Sequence, residues 1–366
     1  MPYDEAVLFA ANNLFGKSEL PQRAMAAGDK YPLVIDPLID GNTQAQSNAT
    51  RDMEARIAQL VQTGYPNFAL QPFSTAALAR GPILFIGTMT AVDRDGKNVG
   101  EASWYRVCLA LVDMRTGRII SKGFARAQPQ GVDHTPTAFF RDSPATAPDP
   151  AVSGYVRTCQ GTKVGDLINP DYWDRILAAA MIKDAIAAYE AGRYQEALDI
   201  YRGVARIGGG DQLRVYNGIY LAAWKLGQRD AAARAFGDLV DYGFAQNRLG
   251  VKFLFRPGTT VFVGDQQLGT QYTMWLQQIA SRSVQRPNCM QIAGHTSRTG
   301  PEPMNERLSL LRAQFVQQRL TGQAQPLSKR TTTIGRGSAD AISGLGTDDL
   351  RDAVDRRVEF RVATCT

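Results

Sequence analysis

Histidine is nearly absent: His134 and His295 are the two among 366 residues. Sites that gather several imidazoles, such as the HExxH zinc hydrolases, are thereby excluded. Cysteine is scarce too. Cys108, Cys159, Cys289 and Cys365 stand far apart, and no two have the C-x-x-C spacing of a zinc ribbon or a thioredoxin-like motif. They are compatible with two disulfides in an oxidising compartment or with four buried thiols. No run approaches the roughly 18 apolar residues of a membrane-spanning helix. The opening MPYDEAVLFAANNLF has no basic leader and is interrupted by Asn12 and Asn13. It reads as neither an export signal nor a lipid-bearing terminus, so either the chain is cytoplasmic or a leader has been removed. Lys and Arg exceed Asp and Glu by 41 to 35, without basic blocks, which argues against nucleic acid as a partner. What is present is ordinary globular composition, 44% apolar and 21% charged.

Motifs for chemistry fail on inspection. Gly16-Lys17-Ser18 resembles the end of a Walker A loop, but the required upstream glycine is Ala11. Asp93-Arg94-Asp95-Gly96 resembles a calcium loop, but Trp104 stands where the last acidic ligand belongs; Asp95-Gly96 reads better as a hairpin turn. Gly335-Arg336-Gly337 lacks the third glycine of a dinucleotide fingerprint, and there is no G-x-S-x-G elbow. No nucleophile, base and orienter converge, so the expectation is a non-enzymatic protein without cofactor or metal.

Periodicity divides the chain. Residues 1–135 read as a mixed α/β module, with helices over Tyr3–Phe15 and Ala49–Thr63. Strands are expected over Tyr31–Pro37, Pro82–Thr90, Ser103–Met114 and Arg118–Ala125. The turn Met114–Gly117 makes the last two a hairpin. Residues 136–175 read as a Pro-rich linker. Residues 176–245 are helical and repeat at a spacing of 35: Gly192 with Gly227, Ala197 with Ala232, Tyr201 with Phe236. A small residue and a ring one turn later let paired helices stack closely, and the pattern resembles the tetratricopeptide repeat. The rings Tyr189, Tyr194, Tyr201, Tyr220, Trp224 and Phe236 are more than two hairpins bury, so the repeats should lie against a neighbour.

From Val251 strands and helices alternate. Strands are expected over Val251–Phe255, Thr260–Val263, Cys289–His295, Thr331–Arg336 and Arg357–Thr364. Helices are expected over Tyr272–Val284, Met304–Leu320 and Thr347–Val354, the second with Leu308, Leu311, Phe315 and Val316 as its apolar stripe. The run IAGHTSRTGPEPMNERLSLLRAQFV, closed by DRRVEFRV, resembles the OmpA-like peptidoglycan-binding domain over about residues 250–366. The matching positions include Gly294, His295, Thr296, Gly300, Asn305, Leu308, Ser309, Arg312, Ala313, Val316, Gly335, Gly337, Arg356, Arg357 and Val358.

The resemblance implies a site for the diaminopimelate of peptidoglycan stem peptides, built from Thr296, Ser297, Asn305, Arg312 and Arg356. An ammonium and a carboxylate on one carbon call for an acid and an arginine fork. Arg312 is the fork. Ser297 stands where the family has the acid, and it offers a hydrogen bond without a charge. That difference is worth about tenfold or more in affinity; on this basis Ser297→Asp is expected to tighten binding. From the residues alone, Arg312 also reads as a partner of Glu306 or another surface acid, Asn305 as a helix cap or loop fastener, and His295 as a strand-end hydrogen-bonder.

In the first module LVIDPLIDGNT, NATRDMEARIAQLV, PILFIGTMTAV and YRVCLALVDMRTGRIIS resemble lipoprotein domains of the curli-secretion-channel and penicillin-binding-protein-activator type, which are interaction modules.

The expected fold is multidomain α+β. It comprises an N-terminal α/β module, helical tetratricopeptide-like hairpins, and a C-terminal OmpA-like βαβ sandwich of helices on one mixed sheet. The implied function is a periplasmic, outer-membrane-associated scaffold that binds peptidoglycan and envelope proteins. The alternative is an assembly adaptor of a secretion or motility system that has lost diaminopimelate binding at Ser297. If the strands opened by Cys289 and ended by Cys365 are antiparallel neighbours, those cysteines meet, leaving Cys108 with Cys159.

Overall fold

The computed structural model of the chain describes residues 1–20, 29–97, 103–256, 258–263 and 266–365. These residues hold twelve helices and eleven strands. They fall into two units, each drawn from separated stretches. The first takes Met1–Arg141, Asp149–Ala187 and Gly203–Gln212; the second takes Asp142–Pro148, Ala188–Arg202 and the chain from Leu213 onward.

The first unit opens with α1 (Tyr3–Gly16), β1 (Tyr31–Ile35) and β2 (Ile39–Asp40). Then come α2 (Asn48–Gly64), started by a reciprocal Ser47–Thr50 cap, β3 (Phe68–Gln71) and the single turn α3 (Thr75–Leu78). Next are β4 (Ile83–Val92), β5 (Trp104–Asp113) and β6 (Arg118–Ala127). The sheet order is β3-β1-β4-β5-β6, with β2 also on β4. Strands β3, β1 and β4 are parallel, and β4, β5 and β6 antiparallel. Every position of β4 is buried, because helices cover both faces of the sheet. On one face α1 and α2 bring Leu14, Phe15, Met53 and Ile57 onto Phe85 and Leu109. Gly117 closes the β5–β6 turn at φ 67°, a left-handed conformation open to glycine.

Residues 136–175, expected as a linker, hold helices and a short strand, and those from Asp149 onward cover the other face of this sheet. After α4 (Ala138–Asp142) and β7 (Ala145–Thr146) come α5 (Pro150–Gln160) and α6 (Pro170–Trp173). Pro150 and Pro170 sit in first turns, where a missing N–H costs nothing, and Asp149 and Asn169 cap those helices. Proline thus starts helices here rather than breaking them. The Tyr155 hydroxyl accepts from Gly87 N–H at 2.9 Å and donates to Gly87 O at 3.0 Å. Cys159 of α5 is joined to Cys108 of β5, Cα atoms 6.0 Å apart.

Helices α7 (Ile176–Glu190), α8 (Tyr194–Val204), α9 (Leu213–Lys225) and α10 (Arg229–Ala245) follow, and α9 and α10 pack as a hairpin in the second unit. Their turns place Gly192 and Gly227 at the same φ of 75°. Ala197, Ala232, Tyr201 and Phe236 are fully buried. A Cβ on Gly218 of α9 would lie 2.3 Å from the Tyr201 ring, so this glycine permits the close crossing.

The second unit continues with β8 (Arg248–Val251), α11 (Gln266–Val284), β9 (Cys289–Gly294), α12 (Glu302–Gln323), β10 (Thr331–Gly335) and β11 (Val358–Ala363). Its sheet order is β10-β9-β11-β8-β7, parallel between β10 and β9 and antiparallel elsewhere. Strand β8 ends before Phe255, and Thr260–Val263 contributes an isolated bridge between Phe255 and Phe262 rather than a strand. Trp275 of α11 stacks on Phe236 at 5.4 Å and donates to the Tyr220 hydroxyl at 2.9 Å, so α11 lies against the α9–α10 hairpin. The antiparallel register sets Ala363 opposite Cys289, and the Cys289–Cys365 disulfide closes there with Cα atoms 4.9 Å apart.

Candidate functional site

Helix α12 lies unusually close to the strands it covers. A Cβ on Gly294 would fall 2.0 Å from Ser309 O, and one on Gly335 2.3 Å from Glu306 O. The two glycines at the ends of β9 and β10 are therefore packing requirements. The expected leucine stripe is displaced. Leu311 is 43% exposed, and the buried face of α12 runs through Asn305, Ser309, Arg312, Ala313, Val316 and Leu320. Polar residues occupy the inner face because they hold loops rather than fill a core, so a hydrophobicity pattern misplaces the register.

Each inner-face residue has its task. Asn305 donates to Thr299 O at 3.2 Å and fastens the loop after β9; the N-cap of the helix is Pro301. Ser309 accepts from Gly337 N–H at 3.0 Å. Arg312 is 5% exposed. Its Nε donates to Thr259 O at 3.1 Å and Nη2 reaches Arg256 O at 3.4 Å, with the guanidinium 4.8 Å from the centre of the Phe255 ring. It pairs with neither Glu306 nor any other acid among the described residues. Burial pushes its guanidinium down to about 10; Asp348 opposes that shift and Arg356 adds to it. The side chain is therefore a buried cation at neutral pH, in electrostatic reach of Asp348 and Arg356.

The remaining predicted residues lie at the facing loops. Thr296 N–H donates to Gly337 O at 2.9 Å, while its buried hydroxyl has no partner among the described residues. Ser297 is 4% exposed and donates to Asp348 Oδ1 at 2.8 Å. Arg356 Nη1 donates to the same oxygen at 2.9 Å and to Asp352 Oδ1 at 2.7 Å. Residues Thr347–Val354, expected as a helix, form a turn and then a 3-10 turn, Ala353–Asp355. The fully buried Asp352 organises it by accepting from the N–H groups of Thr347 and Asp348, each at 2.8 Å. Sequence reading missed Asp348 and Asp352. The signal was the acidic run TDDLRD shortly before the RRV strand.

Behind this loop cluster is a buried charge network. Glu359 joins Arg357 and Arg248, each at 2.6 Å, and Arg361 at 2.8 Å. Burial alone would raise the Glu359 carboxyl. The neighbouring His295, Arg357 and Arg248 hold it far below the usual carboxylate range instead. His295 Nε2 lies 3.6 Å from Glu359 Oε2, beyond a hydrogen bond, and burial lowers the imidazole despite that carboxylate.

Residues 254–354 match the OmpA family. This OmpA-family stretch contains α11, α12 and the loop of Asp348, and β11 follows it. Outer membrane protein Omp38 of Acinetobacter baumannii is 36% identical over 89 residues, 24% of this chain and 25% of that protein. Outer membrane protein A of Shimwellia blattae is 31% identical over 120 residues, 31% of this chain and 47% of that protein. The chain thus spans between a quarter and a half of the length of these relatives. A crystal structure of the periplasmic domain of Helicobacter pylori MotB aligns over 32% of this chain and 74% of its own. Its identity is 18% and its TM-score 0.27. The cell wall anchor of the T6SS from Pseudomonas aeruginosa aligns over 32% and 80%, with 21% identity and a TM-score of 0.26.

Proposed function

We propose that the chain is a non-enzymatic cell-envelope scaffold whose OmpA-like domain holds peptidoglycan without covalent attachment. Its compartment is the periplasm, in association with the outer membrane. The first unit, as a lipoprotein-type interaction module, and the tetratricopeptide-like hairpins bind envelope proteins. The supporting observation is Arg312. A guanidinium removed from water is costly unless an anion meets it, and its contacts here are carbonyl oxygens and a ring face. A carboxylate of the diaminopimelate stem peptide is the anion that the fork suits.

The test is sedimentation of the full chain with purified sacculi. Wild-type protein should pellet. Arg312→Ala and Arg312→Lys should remain in the supernatant, because lysine keeps the charge but loses the two-point geometry. Pelleting of both variants at the wild-type level would overturn the site. A wild-type protein that never pellets would favour an assembly adaptor that has lost wall binding.

A further inference from the structure

We propose that Asp348 supplies the anionic half of this site, replacing the acid that position 297 lacks, so that the headgroup of an α-amino acid is held between Asp348 and Arg312. The proposal rests on the wall-binding reading and names the residue that would read the ligand's ammonium.

Three observations support it. The first is placement. Asp348 Oδ1 is 2.8 Å from Ser297 Oγ, so the carboxylate stands one hydrogen bond beyond where an acid at 297 would end. The second is availability. Ser297 and Arg312 are buried, but the Asp348 side chain is 42% exposed. Its Oδ1 is held by Ser297 and Arg356, and Oδ2 has no hydrogen bond among the described residues. An ammonium can therefore reach an oxygen whose partner atom is already fixed. The third is charge. Arg356 is shared between Asp348 and Asp352, so one guanidinium answers two carboxylates. That leaves this cluster with an excess negative charge in electrostatic reach of Arg312, which has no acid partner among the described residues. A negative centre beside a positive one matches a zwitterion.

The backbone is built for this position. Asp348 adopts φ 57°, a left-handed conformation that Asp tolerates better than most residues. Asp352 locks it by accepting the Asp348 N–H. The buried, unpartnered hydroxyl of Thr296, next to Ser297, is a further polar group without a protein partner among the described residues.

The consequence runs opposite to the simplest sequence expectation. Ser297→Asp in the native chain places a second carboxylate against Asp348, and like charges at that distance oppose each other. It should weaken recognition of an ammonium. Moving the acid back, by combining Ser297→Asp with Asp348→Asn, should restore it.

The experiment titrates the full chain with meso-diaminopimelate and with pimelate, which has the same carbon chain and carboxylates but no ammonium groups. Wild-type protein should prefer diaminopimelate by at least about tenfold, because pimelate offers Asp348 no charged donor and loses that hydrogen bond outright. Asp348→Asn keeps an acceptor for Ser297 and should erase that preference, and the double variant should recover it. An undiminished preference in Asp348→Asn overturns the inference. If Arg312→Ala abolishes binding while Asp348→Asn changes nothing, the wall-binding reading stands and this inference alone falls. If wild type binds neither compound and does not pellet with sacculi, both fall. Thermal melts check the fold of each variant. Should Asp348→Asn not fold, Ser297→Asp decides: tighter diaminopimelate binding overturns the inference, and weaker binding supports it.

Discussion

His295 is a buried imidazole with an arginine-rich surround, and its titration is a stability term. Burial lowers it below its ordinary 6.5, Arg357 adds to that, and Glu359 opposes it. The unfolded chain therefore takes up this proton more readily than the folded domain. The stability tied to a neutral His295 is present above pH 6.5 and is lost as pH falls below it, by at most about 1.4 kcal/mol per pH unit. Melting temperature should drop between pH 7.5 and 5.5, and His295→Gln should flatten that drop. Glu359 acts on stability in the same sense but at lower pH. Its depressed carboxyl contributes above its ordinary 4.5 and is lost further down, so the two groups separate by window.

At the scale of elements, the contact of α12 with β9 and β10 sets where Arg312 stands. Gly294→Ala introduces a Cβ that would sit 2.0 Å from the backbone oxygen of Ser309, and a helix backbone has no rotamer with which to yield. The expected cost is about 1–3 kcal/mol, as for other overpacked sites. A shift of α12 also moves Arg312 away from Phe255 and its carbonyl partners. Urea unfolding should show the loss of stability, and sacculus sedimentation should weaken with it. Unchanged stability would mean that the helix rides freely on the sheet.

At the scale of the molecule, the second unit is larger than its family-matched stretch. Trp275 lies on Phe236 and bonds to Tyr220, and β7 from residues 145–146 extends the sheet beyond β8. A fragment beginning at residue 252 loses β8 and leaves the Trp275 ring without Phe236 and Tyr220. A fragment beginning at residue 213 keeps α9, α10 and β8. The shorter one should melt lower and expose tryptophan to quenchers; equal melting temperatures would show that the OmpA-like domain is independent of the hairpin. Burial of a large ring is worth about 1.5–3 kcal/mol, enough to be read in such a comparison.

The sequence by itself determined what is written in short range. Helix and strand periodicity places α1, α2, β4, β5, β6 and α12 within a few residues of their observed limits. The glycines at a spacing of 35 mark the turns after α7 and after α9. The pairing of Cys289 with Cys365 was legible only on the condition that their strands are antiparallel neighbours, which the sheet supplies. Only the tertiary structure decided what depends on residues far apart in the chain. Prolines 150 and 170 look like linker punctuation until their helices are seen covering a sheet face. The inner stripe of α12 is polar because loops from elsewhere supply its partners. Ser297 and Asp348 are 51 residues apart, and nothing local to either reveals the other. A missing charge is visible in one segment, whereas the carboxylate beside it comes from another and is found only when both loops are folded against the same helix.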